Sequence, residues 1–320
     1  MKTKIVYTLV CGHDDVYLAQ AAISAYTAKK HNPAAYITLV VDEDTSSIIE
    51  KKSGLTVYFS EIIIVQTPEG MNKMQRSRYL KTTLRKHVSG DFLYIDTDTV
   101  VVDDLSGIDN ESAVVAAVLD RHLTIDQHPY KEDIAKKISV IGLTLEDISL
   151  KYFNSGVMFV KDTPDAYAFY NKWHSFWEEE VKKGKSIDQP PLAKANKDCG
   201  YIIQELGGEW NCQMVDNFLN YLPVARILHY FGSDHQSPYL LYDDILMGRI
   251  IKLGHLSEEV KCMLENPRRL FVERHLVAYK DDLAYFSSNL HMVFMNHRWI
   301  YNFFEYVSSI IVKKSLLRFW

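Results

Sequence analysis

The chain has 320 residues, of which 47% are hydrophobic and 24% are charged, and its formal net charge is −5 at pH 7. This length and composition allow one large domain with a full core, or one domain with an appendage, and they exclude a largely disordered chain. The net negative charge provides no broad positive surface, so we expect no nucleic-acid partner. An acidic protein can still bind an anionic nucleotide where a metal ion or a few local cations reverse the field.

The cysteines and the first residues indicate a cytoplasmic protein. The four cysteines are scattered and form no Cys-x-x-Cys pair, so free thiols are expected rather than a zinc site or a redox dithiol. The first residues lead directly into a strand-like run over 5–10, with no apolar stretch suited to a signal peptide. No segment approaches the roughly 20 apolar residues that cross a bilayer.

The first part of the chain alternates short strand patterns with helical patterns. In chain order, the sequence predicts a strand over 5–10, a helix over 17–30, strands over 36–41 and 57–65, a helix over 71–87, and strands over 92–95 and 100–102. This alternation predicts an α/β fold with a mostly parallel sheet that is covered on both faces.

Clusters of acidic residues follow three of these strands, at 14–15, 42–44 and 96–98. Ligands of open α/β sheets bind outside the carboxyl ends of the strands, so each cluster is a candidate site. We interpret the cluster at 42–44 as a turn or helix cap, because Asp favours both positions. The pair Asp103 and Asp104 is interpreted in the same way.

Asp96, Thr97 and Asp98 interrupt an apolar run that otherwise predicts a buried strand. Side chains at alternate positions of an extended chain face the same way, so the two carboxylates lie close together. Two like charges beside apolar neighbours are costly unless one is protonated or a cation lies between them. The pair therefore predicts a divalent metal, which would also neutralise a bound diphosphate.

The stretch 94–98 resembles the Asp-x-Asp motif of the retaining glycosyltransferases of family 8, the group of glycogenin and the lipopolysaccharide galactosyltransferases. Further segments resemble family motifs and occur in the family's order, over roughly residues 5–240: Thr8-Leu9-Val10 with Asp15-Val16-Tyr17, then Arg78, Asn154-Ser155-Gly156, Asp188-Gln189, Trp210-Asn211 and His229-Tyr230-Phe231-Gly232. The resemblance implies a GT-A type fold, a Rossmann-like and mostly parallel mixed sheet flanked by helices. It also predicts a catalytic domain over 1–240.

The resemblance assigns roles to residues that the sequence alone would explain as core, turn or cap. It implies that Asp96, Asp98 and His229 bind the metal, and that Asp188 and Gln189 lie beside the transferred sugar as the catalytic candidates. It further implies that the donor is bound by Thr8, Asp15, Tyr17, Arg78, Thr97, Asn154, Ser155 and Gly232. Two carboxylates and one imidazole favour Mn²⁺, with Mg²⁺ as the alternative ion. The other histidines, His128 among them, are interpreted as surface or packing residues.

The predicted function is that of a metal-dependent hexosyltransferase. The resemblance implies transfer from a nucleotide-diphosphate sugar, with UDP-glucose or UDP-galactose expected, to a glycan or lipid-linked acceptor with retention of configuration. One departure is that the family continues from the position of Gly232 to a Lys-Pro-Trp, whereas residues 233–239 contain no lysine. A catalytically impaired nucleotide-sugar-binding relative therefore stays an alternative. A sugar nucleotidyltransferase is the other, although residues 11–15 lack the Gly-rich basic loop of that class.

The resemblance does not extend over residues 241–320, where we predict a C-terminal and mainly helical extension. Its last part, from Trp299 to Trp320, is aromatic, apolar and basic. This composition is typical of a helix that packs on the catalytic domain, and also of an interfacial helix that attaches to the inner face of a membrane. A lipid-linked acceptor would explain the second arrangement.

Overall fold

The structure, a computed structural model, describes residues 1–13, 15–214, 220–230 and 244–265, together with residues 293, 297, 299–300, 302–304 and 306–307. The chain divides into two units, Met1–Glu273 and Arg274–Trp320. The predicted boundary between residues 240 and 241 falls outside the described residues and stays a prediction.

The described strands and helices of the first unit alternate along most of its length. The strands are β1 (Lys4–Leu9), β2 (Ile37–Asp42), β3 (Glu61–Val65), β4 (Phe92–Ile95), β5 (Thr99–Val101), β6 (Val115–Leu119), β7 (Phe153–Val160), β8 (Ile203–Glu205), β9 (Cys212–Gln213) and β10 (Ile227–His229). The helices are α1 (Tyr17–His31), α2 (Glu43–Glu50), α3 (Lys73–His87), α4 (Lys131–Ser139), α5 (Pro164–Lys182), α6 (Gln189–Asp198), α7 (Asp244–Leu253) and α8 (Glu258–Met263).

Seven of these strands form one sheet in the order β3-β2-β1-β4-β7-β6-β8. β1, β2, β3 and β4 run parallel to one another, whereas β7 runs antiparallel to both β4 and β6. The predicted α/β fold with a mostly parallel sheet is confirmed, and β7 is the strand that makes it mixed.

Helices cover both faces of this sheet because alternate residues of each strand point to opposite sides. In β1, Ile5, Tyr7 and Leu9 join the core cluster that contains α1, whereas Val6 joins a second cluster with residues of α3 and α5. Ala-rich α1 fits closely against the sheet because its buried face consists largely of small side chains. Two hydrophobic layers therefore fix the sheet that carries the site.

A second sheet of three strands, in the order β5-β10-β9, begins directly after the acidic motif. β4 ends at Ile95 and β5 starts at Thr99, so residues 96–98 connect the large sheet to the small one. The sequence predicts a buried strand that the motif interrupts. Instead the chain changes sheets at the motif, which places the two aspartates at the junction.

Most predicted elements agree with the structure to within two residues, but one strand is shorter than predicted. β3 covers only 61–65 of the predicted 57–65, since residues 56–58 form a turn. Asp42 caps α2 by accepting a hydrogen bond from the N–H of Thr45 at 2.9 Å, so its interpretation as a cap is confirmed. Over the part of the chain that is described, no helix has both the length and the hydropathy of a membrane span.

Candidate active site

The topology of the large sheet brings three polar strand ends to one edge. β4 and β6 both run antiparallel to β7, so their carboxyl ends lie at the same edge as the amino end of β7. Asp96 follows β4, Asp120 follows β6, and Asn154 is the second residue of β7. Ligands of open α/β sheets bind at this edge, so the candidate site is built there.

Asp96, Asp98 and His229 form a cluster in which each offers one ligand atom, and these atoms all lie within 4.8 Å of one another. The small sheet joins two of the three, because β5 pairs Thr99 with His229. Next to this pair, the N–H of Tyr230 donates to the carbonyl of Asp98 at 2.9 Å. His229 Nε2 consequently lies 3.2 Å from Asp98 Oδ1.

Asp98 and His229 change each other's protonation. Burial acts to raise the pKa of Asp98, but the neighbouring His229 outweighs it and the pKa is lowered. Burial acts to lower the pKa of His229, but the carboxylate of Asp98 outweighs it and the pKa is raised. Each group therefore favours the charged form of the other. A divalent cation bound between them would satisfy the carboxylate in the same way.

The chemistry of this cluster fits a divalent transition metal. His229 Nδ1 lies 2.9 Å from Asn211 Oδ1, and an amide oxygen only accepts, so Nδ1 carries a proton. A metal ion competes with the second proton for Nε2, on the side of Asp98, and in the neutral imidazole Nε2 has the lone pair that the metal needs. Imidazole is a ligand that Mn²⁺ accepts more readily than Mg²⁺ does, whereas carboxylates suit both ions.

Two cations of α3 lie beside the acidic cluster. Lys81, whose side chain is 3% exposed, places Nζ 3.1 Å from Asp96 Oδ1 and 3.6 Å from Asp188 Oδ2. Arg78 Nε lies 3.0 Å from Asp188 Oδ1, and the Asp188 carboxylate raises the pKa of this guanidinium above its ordinary value. Residues three apart share one face of a helix, so α3 presents both charges to the same site.

Asp188 occupies the N-cap position of α6, but its side chain makes no capping hydrogen bond. Its carboxylate instead accepts from Ser155 Oγ at 2.9 Å and pairs with the two cations of α3. Burial acts to raise the pKa of Asp188, yet Lys81 and Arg78 outweigh it and the pKa is lowered. Asp188 is therefore buried and ionised at the site. It lies beside Ser155, which is predicted to bind the sugar donor.

Gly156 lies where a side chain would meet the imidazole ring of His229. A Cβ at this position would lie 2.3 Å from His229 Cε1 and 2.9 Å from Asn154 Oδ1. The N–H of Gly156 donates to Asn154 Oδ1 at 2.8 Å, and its carbonyl accepts from the N–H of Asp96 at 2.7 Å. Glycine is thus needed because the imidazole ring of His229 occupies the space of its missing side chain.

Asn154 and Gln189 meet at the buried carboxylate of Asp120. Asn154 Nδ2 and Gln189 Nε2 each donate to Asp120 Oδ1 at 3.1 Å. Gln189 Nε2 also donates to the carbonyl of Phe153 at 3.2 Å. The two amides that the family resemblance places beside the sugar are therefore joined through a third residue.

Asp120 and its partner His128 belong to this network although no motif points to them. His128 is 1% exposed in its side chain, and its Nε2 lies 3.1 Å from Asp120 Oδ2. Asp120 follows the apolar run 114–119, which is the same pattern of strand then carboxylate that selects Asp96. The pattern could have found Asp120. His128 offers no comparable signal, because it follows in a loop whose path depends on tertiary packing.

Asp15 and Tyr17, expected at the nucleotide, lie in the loop between β1 and α1 and at the start of α1. Asp15 Oδ2 accepts from the N–H of Gly12 at 2.5 Å and lies 3.4 Å from Lys73 Nζ. Tyr17 is 48% exposed, so its ring is not part of the core and has a face open to solvent.

Thr8 and Thr97 lie closer to the acidic motif. The hydroxyl of Thr8 is 3.1 Å from that of Tyr94, which in turn donates to Asp96 Oδ1. Thr97 is half-buried between the two aspartates. Gly232, and with it the departure at 233–239, lies outside the described residues.

Comparison with known families gives one extended match. A sequence model described as Glycosyl transferase family 8 matches residues 8–234, which is more than half of the chain and includes every residue proposed for the site. No curated protein is similar enough to count as a match.

Solved structures of glycosyltransferases are similar in fold. The galactosyltransferase LgtC, solved in complex with donor and acceptor sugar analogs, is 18% identical with a TM-score of 0.52, over 81% of this chain and 99% of LgtC. Mouse xyloside xylosyltransferase 1 is 13% identical with a TM-score of 0.49, over 73% and 99% of the two chains. GlyE of Streptococcus pneumoniae is 17% identical with a TM-score of 0.48, over 81% and 65%. The likeness to LgtC confirms the predicted GT-A type fold.

Proposed function

The chain belongs to glycosyl transferase family 8 and is a glycosyltransferase, and from that premise we propose that it is a metal-dependent hexosyltransferase. The proposed donor is a nucleotide-diphosphate sugar, UDP-glucose or UDP-galactose, and the proposed acceptor is a glycan or a lipid-linked glycan. One observation carries the proposal: Asp96, Asp98 and His229 bring three metal-ligand atoms within 4.8 Å at the ligand-binding edge of the sheet.

In this proposal Asp96, Asp98 and His229 hold Mn²⁺, with Mg²⁺ as the alternative. When bound, the metal would act as a Lewis acid that stabilises the departing nucleoside diphosphate. Asn211 holds the imidazole of His229 in the tautomer that binding requires, through its contact with Nδ1.

Arg78 and Lys81 adjust the charge of the site to an anionic donor. The carboxylates of Asp96, Asp98 and Asp188 would repel a diphosphate, and the two cations lie in contact with two of them. Because Lys81 is buried, its charge is poorly screened by solvent and acts strongly over short distances. The family lysine is absent from residues 233–239. Among the described residues, we propose that Arg78 and Lys81 take its place.

Asp188, Asn154 and Gln189 are the groups proposed to contact the transferred hexose. The carboxylate accepts hydrogen bonds from sugar hydroxyls, as Gln189 Oε1 can, and Asn154 Nδ2 has a second N–H besides the one that it donates to Asp120. Glycosyl transfer passes through a transition state like an oxocarbenium ion, which a fixed negative charge stabilises. Asp188 supports this role because Arg78, Lys81 and Ser155 hold its carboxylate in place. Retention of configuration is proposed from the family resemblance.

A screen of nucleotide sugars by thermal unfolding, with and without Mn²⁺, tests the proposal. We expect UDP-glucose or UDP-galactose to raise the Tm by roughly 3–6 °C at about 100 times Kd, and only when Mn²⁺ is present. Asp98→Asn should lose this shift. Asp104→Asn is the matched control, because its carboxylate is exposed in a turn beside Ser106 and should leave the shift unchanged.

The same screen separates the proposal from its alternative, a nucleotide-sugar-binding protein without turnover. An enzyme should also release free sugar slowly from the stabilising donor, whereas a binding protein should show the thermal shift alone. If no donor stabilises the wild-type chain under either condition, the metal-bridged donor site is wrong.

We further propose that the C-terminal segment binds at a membrane interface and so brings the enzyme to a lipid-linked acceptor. Support comes from the described aromatic residues Trp299, Phe303 and Phe304, which are 71%, 59% and 52% exposed. Aromatic side chains combined with lysine and arginine are typical of interfacial helices.

Flotation with vesicles that contain anionic lipid tests the attachment. The wild-type chain should float with the vesicles, and the triple variant Trp299→Ser, Phe303→Ser and Phe304→Ser should remain at the bottom of the gradient. A variant with Val57→Ser and Met74→Ser, which removes similarly exposed apolar side chains from the first unit, is the control. Equal flotation of the triple variant and wild type would refute the idea.

A further inference from the structure

A chain of hydrogen bonds connects Asp120 to the imidazole of His229. Asn154 Nδ2 donates to Asp120 Oδ1 at 3.1 Å, and Asn154 Oδ1 accepts from Asn211 Nδ2 at 3.0 Å. Asn211 Oδ1 then lies 2.9 Å from His229 Nδ1. All four residues are buried.

The carboxylate of Asp120 determines which atom donates and which accepts in each of these hydrogen bonds. An ionised carboxylate only accepts, so Asn154 must present its nitrogen to Asp120 and its oxygen to Asn211. Asn211 must then present its own oxygen to His229, whose Nδ1 therefore carries the proton. The N–H of Gly156, which donates to Asn154 Oδ1 at 2.8 Å, enforces the same direction.

His128 completes the hydrogen bonding of Asp120. The N–H of Tyr130 donates to His128 Nδ1 at 3.1 Å, so the proton of the neutral imidazole is on Nε2. That Nε2 lies 3.1 Å from Asp120 Oδ2 and donates to it. Asp120 thus accepts from His128 on one oxygen and from the amides of Asn154 and Gln189 on the other.

The surroundings hold Asp120 in this position and in this charge state. Burial acts to raise its pKa, but the hydrogen bonds from His128, Asn154 and Gln189 outweigh it and the pKa is lowered. The next residue, Arg121, has a left-handed φ of 53°, a conformation that persists only where its neighbours impose it. Gln213 does so, because its Oε1 accepts from the N–H of Arg121 at 2.8 Å.

We propose that Asp120, held by His128, is a positioning residue for the transfer reaction. It fixes the tautomer of His229 that leaves Nε2 for the metal, and it fixes the carboxamide of Gln189 beside the sugar. The inference rests on the proposed metal site and adds to it two residues outside the three metal ligands. Groups that orient metal-binding histidines typically change metal affinity by about 10- to 100-fold when they are removed.

Asp120→Asn tests the role with almost no change of shape. In one orientation the new NH₂ group would face the amide N–H groups of Asn154 and Gln189, and in the other it would face the N–H of His128. Each orientation places two hydrogen-bond donors against each other and loses a hydrogen bond. Titration calorimetry with Mn²⁺ alone should show a Kd about tenfold weaker than that of the wild type. Thermal unfolding without metal shows whether the variant is folded, and a purely structural role would change this unfolding and leave the Kd unchanged.

A matched pair at His128 provides an independent measurement. His128→Gln keeps an N–H that reaches Asp120 and should retain most of the Mn²⁺ affinity, whereas His128→Leu removes the donor and should weaken it. A Kd of Asp120→Asn for Mn²⁺ within twofold of the wild-type value would overturn this inference, as would equal Kd values for His128→Gln and His128→Leu. Neither result would overturn the proposed metal site. A wild-type chain that binds no Mn²⁺ would instead overturn the metal site of the proposed function, and this inference with it.

Discussion

Asp96→Asn is expected to lower kcat/KM for hexose transfer by about 10³-fold or more, because it removes a charged ligand from the centre that stabilises the leaving group. The substitution also leaves the buried ammonium of Lys81 with Asp188 as its remaining carboxylate partner in this cluster. The hydroxyl of Tyr94 donates to Asp96 Oδ1, and the amide oxygen of Asn can still accept this bond, so the substitution removes the charge rather than the acceptor. Transfer from the UDP-sugar should be measured over a range of Mn²⁺ concentrations, so that a weaker metal site is distinguished from a slower reaction.

Asp104→Asn is again the control, since it makes the same chemical change at an exposed carboxylate shortly after β5. It should keep the rate and the Mn²⁺ dependence of the wild type. Release of free sugar from the donor, without acceptor, should fall in Asp96→Asn in parallel with transfer. If Asp96→Asn keeps its activity within tenfold and with the same Mn²⁺ dependence, the paired aspartates are structural and the proposed mechanism is wrong.

The elements of the fold follow from local patterns, and those patterns are visible in the sequence. The helix 17–30 is marked by its Ala-rich face and ended by Asn32, and the structure places α1 at Tyr17–His31. The strand before Asp96 is marked by its apolar run, and β4 is buried at every position. Such patterns extend over a few residues and need no knowledge of the partner strand.

The parts of the site that could not be predicted depend on pairings between distant segments. The change of sheet after Asp96 requires β10 to pair with β5, and the need for glycine at 156 requires the ring of His229 to lie against β7. His128 contacts Asp120 because the segment between β6 and β7 returns to the end of β6. Periodicity carries no information on these contacts, and the order of family motifs indicates roles without giving the reasons for them.

Gly156→Ala is expected to displace the imidazole of His229 and so to weaken Mn²⁺ binding by about 10²-fold or more. The added Cβ would lie 2.3 Å from Cε1 of the ring, a distance that real side chains do not tolerate. The ring cannot rotate away without cost, because Nδ1 is bonded to Asn211 and Nε2 lies against Asp98. Overpacking of this kind typically costs about 1–3 kcal/mol of stability. Calorimetric titration with Mn²⁺ and chemical unfolding measure the two effects.

Two further variants show whether the clash with His229 is the cause. Gly248→Ala, in α7, adds a methyl group that meets no atom of the described residues within 4 Å, apart from its own helix backbone, and should leave both Mn²⁺ binding and folding near wild type. In the double variant Gly156→Ala with His229→Ala, the smaller side chain makes room for the new Cβ, so stability should be no lower than in His229→Ala alone. That non-additivity would identify contact between the two positions as the source of the loss. Additive destabilisation, or Mn²⁺ binding retained in Gly156→Ala, would mean that the ring has space elsewhere and that Gly156 does not confine it.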